Sequence, residues 1–90
     1  MINQAVKRVR QMERLFDMLQ KSMCEDPNGF REDASFAEGL RILTEYYQSD
    51  QWLKDYELDE KGLFPNDLKR GVLAQDSVFD FLERVKGAEV

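Results

Sequence analysis

Apolar residues near the start of the chain fall at Ala5, Val9, Met12, Phe16, Leu19 and Met23, with spacings that alternate between four and three. A helix turns by about 100° per residue, so this spacing holds all six in one lengthwise stripe and predicts a single amphipathic helix over residues 2–24. No Gly or Pro interrupts the pattern before Pro27. Val6, Leu15 and Met18 flank the stripe and make it broader than a two-stranded zipper needs, which predicts cover from two sides. The stretch "CEDPNGFRED", with Pro, Asn and Gly in succession, then reverses the chain. Phe36, Leu40, Leu43 and Tyr47 resume the helical spacing and predict a second helix over 35–48. Ser35 and Glu38 have the spacing of a capping box, Asp33 is a competing cap, and Gly39 is the weak point of this helix.

At 1.5 Å per residue the first helix would be roughly 34 Å long and the second roughly 20 Å. Part of the long stripe must therefore be covered by the C-terminal third of the chain or by a second copy. That third begins with a short helix, capped by Ser49 or Asp50, carrying Trp52, Leu53, Tyr56 and Leu58, with Gly62 at the place of a left-handed stop. Pro65 starts a helical turn that aims Leu68, Val72 and Leu73 inward and ends at Gly71. Asp76 or Ser77 caps a last helix over about 76–86, whose apolar face is Val78, Phe79, Leu82 and Val85 and which Gly87 stops. Neither strand-like alternation nor an internal repeat is visible. The expectation is one all-α domain over 1–90, an antiparallel helical hairpin with a compact C-terminal corner folded onto it.

Ninety residues lie near the lower end of what folds alone. The 42% of apolar residues, six Phe, three Tyr and one Trp among them, nonetheless supply a core and argue against disorder. A lone Cys24 excludes an intrachain disulfide, and the frequent charges of "INQAVKRVRQMERLFDML" exclude a signal peptide or a membrane span there, so a soluble, cytoplasmic protein is expected. The net charge of -5 is unevenly spread: the first helix is basic, while residues 25–68 hold twelve acids against four bases.

The run "EYYQSDQWLKDYELDEKGLFPNDLKRGVLAQDSVFDFL" resembles a family of short bacterial proteins known only as a domain of unknown function. Their shared phrase has the form YY-x-S-x-x-W-L-x-D-Y-E-x-D-E-x-G-L-x-P-x-D-L-K-R-G-V-L, and residues 46–73 follow it closely. The resemblance implies a helical hairpin followed by this phrase, and it implies no biochemical activity.

The chain has no His, so neither Ser-His-Asp nor Cys-His catalysis can be assembled within it, and enzyme function is not expected. Asp55 and Asp59 share a helix face within the cluster Asp55, Glu57, Asp59 and Glu60, but no calcium loop accompanies them, so a solvated acidic face is expected rather than a metal site, and no cofactor. Trp52 and Tyr56 form an aromatic ridge, either a lid on the core or a recognition surface. Lys69 and Arg70 either hold an acidic partner or fasten the corner to Asp55, Asp59 or Asp67. Lys7, Arg14 and Lys21, seven apart, make a basic stripe, yet the net charge and the lack of a reading motif argue against nucleic acid. Most consistent with all this is a protein–protein interaction or regulatory module, its partner another protein or a second copy. Trp52, Tyr56, Lys69 and Arg70 form the candidate interaction surface, and Met12, Phe16 and Leu19 the candidate self-interface of a homodimer. An acidic inhibitor or nucleic-acid mimic of a mobile element is the alternative, raised by the twelve acids.

Overall fold

The computed structural model describes residues 2–87. Four α-helices follow one another: α1 (Ile2–Glu25), α2 (Ala34–Tyr47), α3 (Asp50–Glu60) and α4 (Gln75–Gly87). Two 3-10 turns join them, Phe30–Glu32 between α1 and α2 and Gly71–Leu73 before α4. The described residues contain no strand, so the fold is all-α, as the periodicity predicts. Its long axis of 40 Å is set by α1, since 24 helical residues rise about 36 Å.

α1 and α2 pack as the expected antiparallel hairpin. Gly39 is buried where they meet: a Cβ there would come within 3.0 Å of Leu15 Cδ1 and Leu19 Cδ2. What reads as a weak point in α2 is the close approach that lets its backbone lie on α1. Phe30, from the turn after the hairpin loop, closes the far end with its ring edge-on to Phe36 at 4.9 Å. The starts of α2 and α3 are capped by side chains. Asp33 accepts the Ser35 N–H at 2.8 Å, so the competing cap holds α2, and Glu38 pairs with Arg41 instead of completing a box with Ser35. Ser49 accepts the Trp52 N–H at 3.3 Å and starts α3. α3 stops at Gly62, φ +71, where the Gly62 N–H donates to the Asp59 carbonyl and the Leu63 N–H to the Leu58 carbonyl. That pair of bonds is the Schellman motif, and it needs a residue free to take a positive φ.

Within the one chain, the C-terminal corner also covers α1. Phe16 and Leu19 are 3% and 1% exposed, and Phe16 meets the Phe81 ring of α4 edge-on at 5.4 Å. These two members of the candidate self-interface are thus core residues of a single copy; Met12 is half-buried beside them. A dimer through them would require the chain to open its own core.

Three details, two in the corner and one in α2, differ from expectation. After Pro65 the chain makes a single turn, with the Leu68 N–H donating to the Pro65 carbonyl, and Gly71 begins a 3-10 turn rather than ending a helical one. In α4 the buried residues are Val78, Phe81 and Val85, while Phe79 is 53% exposed. In α2 they are Phe36, Gly39, Leu43 and Tyr46, which leaves Leu40 and Tyr47 only half-buried at the edge. Both helices therefore carry more apolar surface than the core consumes, and each turns its second-best side outward.

Candidate functional site

The phrase shared by residues 46–73 builds three polar ties, two that hold the corner to the hairpin and one that fastens the corner to itself. In the first, α3 carries Asp55 to the inner face of α1, where the carboxylate is 0% exposed. The Arg8 guanidinium donates to both its oxygens, Nε to Oδ2 at 2.8 Å and Nη2 to Oδ1 at 2.6 Å. The Tyr46 hydroxyl donates to Oδ2 at 2.7 Å. A fork of two parallel N–H bonds is the geometry that best compensates a desolvated carboxylate. The hydrogen bond to Asp55 raises the Arg8 pKa further, and burial followed by the Asp55 bond pushes the Tyr46 phenol well above its usual value. Asp55 is therefore a paired interior charge and not part of the expected solvated acidic face.

The second tie joins α1 to the 3-10 turn: Glu13 is 7% exposed, and its Oε1 accepts the Gly71 N–H at 2.7 Å. A Cβ on residue 71 would stand 2.8 Å from that oxygen, which explains the glycine. In the third, Arg70 donates to Asp59 Oδ1 at 2.5 Å, to the Leu68 carbonyl at 2.9 Å and to the Pro65 carbonyl at 2.8 Å. Arg70 thus pins its own loop to α3, with Asp59 as the partner anticipated among the nearby acids. Lys69 reaches Asp17 on α1 instead, at 3.3 Å across an exposed surface.

Trp52 is 9% exposed, and its indole N–H donates to the Val72 carbonyl at 2.8 Å. Tyr47 lies edge-on to it at 5.2 Å and Tyr56 stacks on it at 5.3 Å, so the ridge is a lid with only its Tyr56 end partly open. A hydrogen bond from the Tyr56 hydroxyl to Glu60 raises the Tyr56 pKa. Of the four residues named for the interaction surface, Trp52 closes the core and Arg70 is engaged internally. Lys69 alone is mostly exposed, its side chain 75% open to solvent. Arg8 and Glu13 are structural residues that the sequence reading misses.

The surplus apolar residues of α2 and α4 meet in a groove of about 410 Å³. Leu40 and Tyr47 form one wall, Phe79, Leu82 and Val85 the other, with Glu83 and Lys86 on the α4 rim. Asp76, Asp80 and Glu83 are exposed and recur at spacings of four and three, which places them in one outward stripe of α4 beside Phe79. Two other cavities have more charged residues in their walls. One, between α1 and α3, is walled by Arg8, Lys54, Glu57 and Lys61, and one beside Glu13 by Arg10, Arg14, Asp67 and Lys69. No group of three or more acids, cysteines or histidines that could hold a metal occurs among the described residues, and none of the described helices is long and apolar enough to cross a membrane.

Fold and site together define a class: small helical-hairpin proteins closed by a corner held on buried polar ties. The chain belongs to the family described as Domain of unknown function (DUF4298), whose model matches residues 2–88. No curated protein and no solved structure matches the chain.

Proposed function

We propose that this protein is a non-catalytic, cytoplasmic protein–protein interaction module that docks its partner in the groove between α2 and α4. One observation carries the reading: α2 and α4 each hold apolar residues the core does not use, and these converge, leaving Phe79 53% exposed beside half-buried Leu40, Tyr47 and Leu82. Concave apolar surface with a polar rim marks docking sites more often than scattered apolar residues do. The conspicuous phrase at residues 46–73 builds the support behind one wall of this groove, since Tyr47 lies against Trp52.

The mimic alternative needs the acids of residues 25–68 as one free array. Against it, Asp55 is interior, Asp59 is held by Arg70, and Arg41 sits between Glu38 and Glu45.

A photo-crosslinking residue in place of Phe79, with the same residue in place of Leu53 as control, tests the docking reading in cells. Leu53 is similarly exposed, at 50%, on a different helix. A discrete protein adduct from position 79 and none from position 53 is expected. Equal labelling from both, or none from either, would overturn the proposal.

A further inference from the structure

The cavity between α1 and α3 holds about 460 Å³, a volume typical of small-molecule sites. Three cations, Arg8, Lys54 and Lys61, line it against one acid, Glu57, and no other charged residue does. Arg8 is preset. Asp55, 0% exposed, accepts from its Nε at 2.8 Å and its Nη2 at 2.6 Å and so fixes the guanidinium plane. That fork spends one edge of the group and leaves Nη1 without a hydrogen bond, while 27% of the side chain stays exposed. The outer edge, Nη1 with the second N–H of Nη2, keeps two parallel donors, the geometry that grips a planar carboxylate. Lys54 and Lys61 stand seven residues apart, about 10 Å along the helix, and neither forms an ion pair among the described residues.

We infer that this cavity binds a small monocarboxylate with an apolar body, its carboxylate on the outer edge of Arg8 and its body against Leu58 and the aliphatic stems of the two lysines. Charge sets the class. Asp55 answers Arg8 and Glu57 answers one lysine, so a single positive charge remains, which one carboxylate neutralises and a phosphate dianion exceeds. Apolar surface favours an organic ion over an inorganic one: Leu58 is only partly buried beside Ala5, and a hydrocarbon body in the cavity would cover the rest. An arginine already held in place lowers the ordering cost of binding. The site shares no lining residue with the groove between α2 and α4, so the two readings stand or fall separately.

The probe is hexanoate, titrated into isotope-labelled protein and followed by amide chemical shifts, with hexanol and acetate as its uncharged and tail-less counterparts. Saturable 1:1 shifts confined to the surroundings of Arg8, Lys54, Leu58 and Lys61 are expected at millimolar hexanoate. Hexanol and acetate should each bind about fivefold or more weakly, the first for want of a charge-assisted bond and the second for want of buried methylenes. Lys54→Gln combined with Lys61→Gln, two exposed positions outside the polar ties, should weaken hexanoate about fivefold and leave hexanol unchanged. Hexanol or acetate binding as tightly as hexanoate overturns the inference, and so does hexanoate that is indifferent to the lysine pair or never saturates. Shifts of equal size around Leu40 and Phe79 overturn it as well, since the ligand would then be sampling any apolar surface. Inorganic phosphate binding more tightly than hexanoate would make the cavity a plain anion site, and the stated class would be wrong.

Discussion

Replacing Asp55 by Ala removes the acceptor of the forked Arg8 bonds at 2.8 and 2.6 Å and of the Tyr46 hydroxyl at 2.7 Å. Breaking a buried ion pair from one side costs about 3–5 kcal/mol, because the remaining charge is stranded. Arg8 keeps 27% of its side chain exposed and can turn partly to water, so the lower end applies, about 3 kcal/mol. Arg8→Met strands the other charge, a carboxylate with 0% exposure, and should cost more, about 4–5 kcal/mol. A small domain is stable by about 5–15 kcal/mol and loses roughly 4–8 °C of Tm per kcal/mol, so Asp55→Ala should melt about 12–24 °C lower. Replacing both partners, Arg8→Met with Asp55→Ala, removes both stranded charges. The double variant should therefore be more stable than the sum of the single losses by at least about 1.5 kcal/mol. Urea titrations followed by far-ultraviolet circular dichroism at neutral pH read all four corners of this cycle. A loss below about 1 kcal/mol in Asp55→Ala, the scale of an exposed pair, or strict additivity in the cycle, would refute the buried-fork account.

Gly71→Ala should lose about 1–3 kcal/mol in the same titration, because its Cβ would stand 2.8 Å from Glu13 Oε1, and shortening the acid with Glu13→Asp should recover part of that loss. Arg70→Ala should cost about 1–3 kcal/mol through its three acceptors, with poor rescue by Lys, whereas Lys69→Ala should change stability by under about 1 kcal/mol; equal effects would contradict the two roles. Tyr46 keeps its proton in the folded chain above the ordinary value of 10.0, while the unfolded chain releases it there. Its contribution is thus complete below that pH and falls as the pH rises, so the wild type should lose stability more steeply than Tyr46→Phe between about pH 10 and 12, and parallel curves would be the adverse result. Trp52 should emit at short wavelength and resist iodide quenching; a red-shifted, quenchable emission would contradict its place under Tyr47 and Tyr56.

Helical spacing made the hairpin legible because its stripe is long: Ala5, Val9, Phe16 and Leu19 are all buried as the period requires. Local chemistry made Ser49 and Gly62 legible, since a cap and a positive φ depend on a few neighbouring residues. The two ties to α1 were not. Arg8 and Asp55 lie 47 residues apart, and neither differs in type from surface residues of an amphipathic helix. Asp55 does share the face of Trp52, the one hint that it points inward. Glu13 likewise falls between Met12 and Phe16 on the buried side. The groove was hidden by a real ambiguity. "VFDFL" offers two overlapping apolar faces, Val78 with Phe79 and Leu82 or Val78 with Phe81 and Val85, and only the Phe16 ring, contributed from far away in sequence, selects the second. The same tertiary choice places Tyr46 inside and Tyr47 at the edge.

The separation of the ties along the chain also governs the order in which a nascent chain can mature. Synthesis proceeds at about 5–20 residues per second, and α1 leaves the ribosome first. Its C-terminal half can dock as soon as α2 follows, through Gly39 against Leu15 and Leu19. Its N-terminal half must wait, because the partners of Arg8 and Glu13 lie 47 and 58 residues downstream. Until Asp55 and then Gly71 emerge, Arg8 and Glu13 lack the partners they hold in the folded chain. The stretch closed last is thus the one translated earliest, a natural place for a chaperone to hold the growing chain.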